Sequence, residues 1–345
     1  MAKNKKEIKF PSELRLDLTS KDWVVIATGR GKKPELFSQE KRATQQVPKE
    51  NCPFCNIETQ EKPVLIFNSG KKIDYSGTIP KDWTTIVVPN KFPSLLPNPK
   101  FEKKKEGDLY ETMNAVGFCE LVVTRDHEKS FSLLTWQEMK EVIDCYQLRY
   151  LALMEKKFVR YISIFHNFGA EAGASQPHNH SQIITTPLID VDLRNALVNS
   201  KKYYQKTGHC LYCQMDKLDM EKKTRVIFEN EGFLALCPFA SKSAFEIIVS
   251  PKKHSPYFEK INDEEKIQLA QALKASLEKL YKALNDPPYN FYLHTAPCDG
   301  KEYPAYHWHW TILPKTSIWA GFEIGTRMEI SVIEPEKAAE YLRKY

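Results

Sequence analysis

Cysteine and histidine define what chemistry this sequence could perform. Cys52 and Cys55 form one C-x-x-C pair, in Asn-Cys-Pro-Phe-Cys, and Cys210 and Cys213 form another, in His-Cys-Leu-Tyr-Cys. Each is followed far downstream by an H-x-H pair, His178-Asn-His180 and His307-Trp-His309. A C-x-x-C pair can grip one metal ion, and histidines arriving from distant strands can complete a tetrahedron. Taking corresponding residues, one quartet is Cys52, Cys55, His127 and His178, and the other is Cys210, Cys213, His254 and His307. Their soft thiolates favour zinc over magnesium or calcium. A lone C-x-x-C serves a buried dithiol or redox pair as readily as a metal, but its repetition with matched histidines favours the metal. The ligands are also too widely spread for a DNA-reading finger, which spans roughly 25 residues. Cys119, Cys145, Cys237 and Cys298 stand alone and read as packing residues.

If the segment from His178 is a strand, alternate side chains share a face, and His178, His180 and Gln182 stand in a row. One histidine can then hold a metal while the next is free to react. A neutral imidazole is a good nucleophile toward phosphorus, and a phospho-histidine intermediate divides a nucleotidyl transfer into two easier steps, with His180 as nucleophile. Gln182 can donate its amide N–H to a phosphoryl oxygen or to the departing bridging oxygen. Its counterpart in the second half is Thr311, which favours catalysis in the first half without deciding it. The loop from Asn167 to Pro177 supplies Gly169, Gly173 and Ser175, small enough to let a phosphate approach the backbone. His166 and His294 are as consistent with hydrogen-bonded core residues as with catalytic ones. The aromatic segment Tyr303 to Trp310 reads as core and interface packing.

The elements that must position these groups recur in order in both halves. After Cys55 come strand-like stretches at Trp83 to Pro89 and Leu121 to Thr124, ending at His127. After Cys213 come Val226 to Glu229, Phe233 to Cys237 and Phe245 to Ser250, ending at His254. Eight residues beyond each of these histidines lies a capping box, Thr135 with Glu138 and Asn262 with Glu265. Each opens an apolar helical run: Met139, Val142, Ile143, Tyr146, Tyr150 and Leu153, and then Ile267, Leu269, Leu273, Leu277, Leu280 and Tyr281. A strand ending in histidine follows each helix, Tyr161 to His166 and Tyr289 to His294, and then the loop carrying H-x-H. The pattern predicts an α+β chain of two duplicated half-domains, residues 1–197 and 198–345, joined in the polar stretch from Val198 to Gly208.

The length of 345 residues with 42% hydrophobic and 27% charged residues excludes a stapled mini-protein and a largely disordered chain. Apolar runs are too short to span a bilayer as a helix, and residues 2–7 lack a leader's apolar segment, so no membrane and a cytoplasmic location are expected. Fifty Lys and Arg against 44 Asp and Glu give a net charge of +6, suited to anionic substrates. The charges interleave, as in Glu102-Lys-Lys-Lys-Glu106, so no nucleic-acid partner is expected.

The segment Asn167 to Gln182, with its N-x-G, G-x-S and P-H-x-H-x-Q elements, resembles the galactose-1-phosphate uridylyltransferase family of the histidine-triad superfamily. So do the opening Leu16 to Ala27, Cys52-Pro-Phe-Cys55, Val88-Pro-Asn-Lys-Phe-Pro93 and Ala320-Gly-Phe-Glu323, and the similarity runs along nearly the whole chain. The resemblance implies two histidine-triad-like half-domains, each an antiparallel sheet with packed helices. It implies a ping-pong reaction in which a nucleotide sugar gives its nucleoside monophosphate to His180 and a second hexose 1-phosphate collects it. It also implies zinc at the first quartet. By position, Asn90, Asn167, Gly173, Ser175 and Gln182 would contact nucleotide or phosphates, and Phe322 and Glu323 the sugar. A homodimer is implied too, because the late segment in this family often reaches the neighbouring subunit's site.

Several positions depart from the best-known enteric and animal members. Asn179 replaces proline between the histidines, Ser181 stands where glycine is usual, Ala174 replaces cysteine, and the lysine before the G-aromatic-E motif has no clear match. The second quartet resembles a branch, shared by plant and many bacterial members, that includes ADP-sugar phosphorylases; its metal would be zinc or iron. The resemblance thus implies UMP exchange between UDP-glucose and galactose 1-phosphate through uridylyl-His180. An ADP-sugar phosphorylase or adenylyltransferase using adenylyl-His180 is the alternative, and a zinc-stabilised, non-catalytic nucleotide- or RNA-binding module is the alternative of another class.

Overall fold

In the computed structural model the described residues are 12–27, 33–39, 47–98, 100 and 102–345; residues 2–7 lie outside them. Strands β1 (Glu13–Leu16), β2 (Trp23–Ile26), β3 (Leu65–Asn68), β4 (Lys71–Ile73), β5 (Thr85–Pro89), β6 (Lys103–Glu106), β7 (Tyr110–Met113) and β8 (Cys119–Thr124) precede helix α1 (Trp136–Met154). Then come β9 (Tyr161–Phe168), β10 (His180–Thr186), α2 (Val191–Thr207) and α3 (Leu211–Lys222). The second half continues with β11 (Val226–Glu229), β12 (Phe233–Leu236), β13 (Ile247–Pro251), α4 (Asp263–Leu284), β14 (Tyr289–His294) and β15 (His309–Pro314). Helix α5 (Gly321–Thr326), β16 (Ile330–Ser331) and α6 (Pro335–Leu342) close the chain.

Eleven strands form one antiparallel sheet in the order β11-β12-β13-β15-β14-β9-β10-β8-β5-β3-β4. The order is an internal duplication read outward from its middle. Strands β9, β10 and β8 are mirrored by β14, β15 and β13, and each half inserts its long helix after the strand at the third place. The two half-sheets meet edge to edge at β9 and β14, where Asn290 pairs with Asn167 and Phe291 with His166. Joining the edges satisfies the row of N–H and C=O groups that either half alone would leave unpaired.

Both long helices begin with the expected capping boxes. The Thr135 hydroxyl accepts from the Glu138 N–H, the Asn262 side chain accepts from the Glu265 N–H, and both glutamates reach back to the cap N–H. Met139, Val142, Ile143, Tyr146, Tyr150 and Leu153 of α1 pack with Leu269, Leu273, Leu277 and Leu280 of α4 in one core with Ile162, Ile164 and Phe291 of the sheet. Ile267 and Tyr281, expected in that core, are only half-buried. Lys266 of the same helix is buried instead, because its ammonium meets Asp144 of α1 at 2.7 Å and Asp263 at 2.7 Å. Glu141 is also buried, and its carboxylate accepts from the Gly70 N–H and the Thr84 and Thr85 hydroxyls, tying α1 to the β3–β5 edge.

The polar stretch in which the two halves are expected to join is helical. Residues 198–207 complete α2, which Asp190 caps at its start and Gly208, at φ 73°, terminates. The helix buries only Leu193 and Ser200, which is why its composition is polar, and its caps fix its two ends. No helix among the described residues is long and apolar enough to cross a membrane.

Candidate active site and metal centres

On β10, Ile183 points into the helix-covered core, so His180 and Gln182 stand on the opposite face. Ser181 also points to the helix side, where its hydroxyl meets the Tyr146 hydroxyl at 2.5 Å. That contact gives the serine, present where glycine is usual, a buried partner. The preceding turn is tied down by Asn179, whose amide donates to the Lys129 carbonyl at 2.5 Å and links the H-x-H strand to the loop after His127.

His180 is 7% exposed and its ring lies 4.9 Å from that of Phe54, between the first two cysteines. Its Nδ1–H donates to the His178 carbonyl at 2.9 Å, which leaves the Nε2 lone pair free. Burial lowers its pKa below the ordinary histidine value, against the opposing effect of that hydrogen bond. The ring is therefore neutral at pH 7, the form that can attack phosphorus. The glycine-bearing loop runs beside it: Asn167 on β9 faces the same side, Gly169 has φ 81° and Gly173 φ 83°, and Ser175 is exposed. A side chain on Gly173 would meet nothing within 4 Å, so this backbone borders open space that a ligand can enter.

Cys52, Cys55, His127 and His178 converge, with their ligand atoms all within 4.8 Å of one another. The Cys52 Sγ lies 3.4 Å from the His178 Nδ1, the Cys55 Sγ 3.2 Å from the His127 Nδ1, and the two Nδ1 atoms are 3.3 Å apart. A zinc tetrahedron has S···N and N···N edges of roughly 3.3–3.6 Å, so the donor set fits that ion. The second cluster has the same form. The Cys213 Sγ is 3.4 Å from the His254 Nδ1 and 3.3 Å from the His307 Nδ1, with Cys210 completing the group.

The tautomers fit as well. The His178 Nε2–H donates to the Thr124 carbonyl at 2.7 Å and the His127 Nε2–H to the Val47 carbonyl at 2.8 Å. In the second cluster His307 donates to Pro251 at 2.8 Å and His254 to Pro304 at 2.9 Å. With every Nε2 proton committed, every Nδ1 is free to ligate. Burial, and next the adjacent Cys52, push the Cys55 thiol up to about 11, so an incoming cation has to displace its proton. These carbonyl partners, and the aromatic ahead of the second cysteine, were missed by sequence reasoning. Backbone acceptors leave no residue signature, but the aromatic does: Phe54 and Tyr212 hold equivalent places, Tyr212 lying 5.5 Å from His309.

His166 and His294, which look equivalent in sequence, are not. His309 pairs with His294, whereas the residue that pairs beside His180 is Asn167, one step beyond the Ser181–His166 pair. His166 therefore faces the core, stacked on Phe131 at 4.2 Å, its Nδ1–H donating to the His180 carbonyl at 2.9 Å. Burial lowers its pKa to about 3. His294 faces the other side and stacks on His309 at 4.7 Å. The duplicated counterpart of Asn167 is thus His294.

The remaining sequence-selected residues are less assembled. Asn90 follows β5, its side chain accepting from the Phe92 N–H at 2.9 Å. The Glu323 carboxylate caps its own helix α5 by accepting from the Ala320 N–H at 3.0 Å. Phe322 is 48% exposed, and Ile318, Trp319 and Ile324 around it are exposed too. Among the described residues, no hydrogen bond, ion pair or ring contact joins Phe322 or Glu323 to His180.

If the second cluster is structural, Cys210→Ser should remove its metal and lower the melting temperature by roughly 5 °C or more, while His180 keeps its reactivity. Metal analysis with a thermal melt checks this, and unchanged metal content and melting would contradict it.

The sequence models for the N- and C-terminal domains of galactose-1-phosphate uridyl transferase match residues 2–190 and 196–343. The chain is 32% identical to an ADP-glucose phosphorylase of Arabidopsis thaliana over 336 residues, covering 96% of this chain and 92% of that protein. It is 28% identical to a galactose-1-phosphate uridylyltransferase of Thermotoga maritima over 341 residues, covering 96% and 98%. A crystal structure of an ADP-glucose phosphorylase from Arabidopsis thaliana with bound ADP-glucose superposes with a TM-score of 0.78 at 29% identity, covering 97% of this chain and 99% of that one. A uridylyltransferase structure does so at 0.73 and 26%, covering 96% and 97%.

Proposed function

The chain belongs to the galactose-1-phosphate uridylyltransferase family, and from that premise we propose that it exchanges UMP between UDP-glucose and galactose 1-phosphate through a uridylyl-histidine on His180. The observation that carries this reading is the geometry of His180: a neutral ring with Nδ1 committed to the His178 carbonyl and Nε2 free on the face shared with the glycine-bearing loop. The Nε2 lone pair attacks the α-phosphorus of UDP-glucose. An N–P bond forms as the bond to the bridging oxygen breaks, and glucose 1-phosphate departs with that bond's electrons. A phosphate oxygen of galactose 1-phosphate then attacks the same phosphorus, and Nε2 leaves. The proton stays on Nδ1, donated to the His178 carbonyl throughout, and that carbonyl oxygen offsets the positive charge that the nucleotidylated ring develops. Gln182 donates its amide to the phosphoryl oxygens, and Asn90, Asn167, Gly173 and Ser175 bind nucleotide and phosphates. Phe322 and Glu323 bind the sugar of a neighbouring subunit's substrate in a homodimer, a role that fits the exposed apolar surface of α5.

Zinc in the first quartet supplies closed, structural coordination rather than a reactive water. Cys52, Cys55, His127 and His178 hold it; Cys210, Cys213, His254 and His307 hold zinc or iron in the second half. The first half, to residue 197, carries the chemistry, and the protein works in the cytoplasm without nucleic-acid or membrane partners.

The adenylyl alternative has its own support. The identity to the Arabidopsis ADP-glucose phosphorylase, 32%, exceeds the 28% to the Thermotoga uridylyltransferase. In that reading His180 takes AMP from an ADP-sugar and passes it to inorganic phosphate or a sugar phosphate. Intact-protein mass after brief mixing with UDP-glucose, and separately with ADP-glucose, at neutral or mildly basic pH distinguishes them. A uridylyl adduct is expected; an adenylyl adduct alone would move the assignment to the phosphorylase, and no adduct with either would refute both.

A further inference from the structure

We propose that Asn290, in the second half, is a positioning residue for the nucleotidyl site of the first half, acting by fixing which way the Asn167 amide faces. The inference rests on the reading above, in which Asn167 contacts the substrate. Asn290 and Asn167 are cross-strand partners at the junction of the two half-sheets. The Asn290 Nδ2 donates to the Asn167 Oδ1 at 2.8 Å and to the Ala172 carbonyl at 2.8 Å. An asparagine amide has two N–H donors on that nitrogen, and both are used here. With its oxygen engaged, Asn167 has one amide orientation, and its own Nδ2, which has no hydrogen bond within the described residues, is left to donate to a ligand oxygen.

The second bond fixes the loop. Ala172 ends the short 3-10 turn Ala170–Ala172 and immediately precedes Gly173, whose backbone borders open space. The same loop is seated at its start on the second half, since a Cβ on Gly169 would come within 2.9 Å of the Pro288 Cβ. Residues 288–290 thus form the bed of the phosphate loop, and one side chain sets both a donor and the loop's backbone. Asn290 touches neither the substrate nor the reacting atoms in this scheme.

The arrangement makes an unusual demand: a near-isosteric replacement is worse than a truncation. Asn290→Asp substitutes acceptors for both donors. The Asn167 amide then turns its nitrogen toward the carboxylate and presents its oxygen to the anionic substrate, while the Ala172 carbonyl is repelled. Asn290→Ala only frees the amide and loop to sample both orientations.

The test is single-turnover formation of nucleotidyl-His180 over a range of UDP-glucose and ADP-glucose concentrations, with melting curves for each variant. Asn290→Asp should lower the second-order rate by ~100-fold and Asn290→Ala by ~10-fold, each melting within a few degrees of the parent. In an Asn167→Ala background, Asn290→Ala should cost less than ~3-fold, because the donor it positions is gone and only the bond to the Ala172 carbonyl is left to lose. An Asp variant as fast as the Ala variant, or effects that add in full, would overturn the proposal. If Asn290→Asp does not fold, the alanine cycle decides alone. A parent protein that forms no adduct with either donor refutes the nucleotidyl reading, and this inference with it. That outcome is distinct from a reactive parent with indifferent Asn290 variants.

Discussion

His180→Ala is expected to abolish nucleotidyl transfer, by at least about 10⁴-fold, and to leave the metal content and fold of the protein in place. The size follows from the role. In the proposed mechanism, without an Nε2 there is no atom to carry the nucleotide between donor and acceptor, and direct attack by one sugar phosphate on the other's nucleotide would have to occur in a site shaped for two successive displacements. The restraint on damage follows from the contacts. Among the described residues the His180 side chain makes one hydrogen bond, to the His178 carbonyl, and a ring contact with Phe54. Its backbone makes the strand pairing, with Val123, and that survives substitution. The carbonyl loses its partner at a buried position, so the cost in stability is about 1–3 kcal/mol. Elemental analysis, a melt and intact mass after mixing with UDP-glucose check the three parts separately. Loss of metal alongside activity would mean that His180 is a ligand, and an adduct that persists in the variant would place the nucleophile elsewhere.

Much of the fold is legible in the sequence because the repeat is written twice in local signals. Capping boxes at Thr135 and Asn262, helical apolar periods and C-x-x-C pairs each depend on residues a few positions apart, and short-range physics reads them. What depends on register across strands is not legible in this way. His166 and His294 occupy matching places when strands are aligned by their last histidine, but pairing sets His294 opposite His309 and Asn167 beside His180, a shift of one residue that reverses the face. Nothing near Lys266 in the sequence marks it as buried; the approach of α1 brings Asp144 to it. The helical state of residues 198–207 is not legible either, because a solvated helix is as polar as a loop. The candidate site divides in the same manner. Side-chain donors with metal-binding chemistry announce themselves by type, whereas the carbonyls of Val47, Thr124, Pro251 and Pro304 that choose the histidine tautomers have no type to announce. Asn290 is invisible for a further reason: its partners, Asn167 and Ala172, lie in the other half of the repeat.

Breaking the first quartet should damage stability as well as chemistry, whereas removing the nucleophile damages mainly chemistry. Cys52→Ser replaces a thiolate that is fully buried beside the His178 Nδ1 with a hydroxyl that binds zinc weakly. Zinc binding in small sites supplies about 10 kcal/mol of folding free energy, and even a fraction of that, lost here, exceeds what a typical core substitution costs. The damage reaches His180 by a short path. The His178 ring is held on one side by the quartet and on the other by the Thr124 carbonyl, and the His178 carbonyl holds the His180 Nδ1. Phe54, between the two cysteines, packs on both rings, at 5.7 Å from His178 and 4.9 Å from His180. With the metal gone the turn carrying Phe54 is free to move, the His180 ring loses its fixed orientation, and adduct formation should fall by about 100-fold or more even in molecules that remain folded. The contrast with Cys210→Ser is what makes the result diagnostic: the second cluster lies beside His309, not His180, so its loss should lower the melting temperature with little change in the adduct rate per folded molecule. Metal content, melting temperature and single-turnover adduct formation, measured on both variants side by side, test this asymmetry. Equal losses of adduct rate in the two variants would mean that the halves are coupled through the whole sheet, and a Cys52→Ser protein with full metal and normal chemistry would remove the quartet from the mechanism.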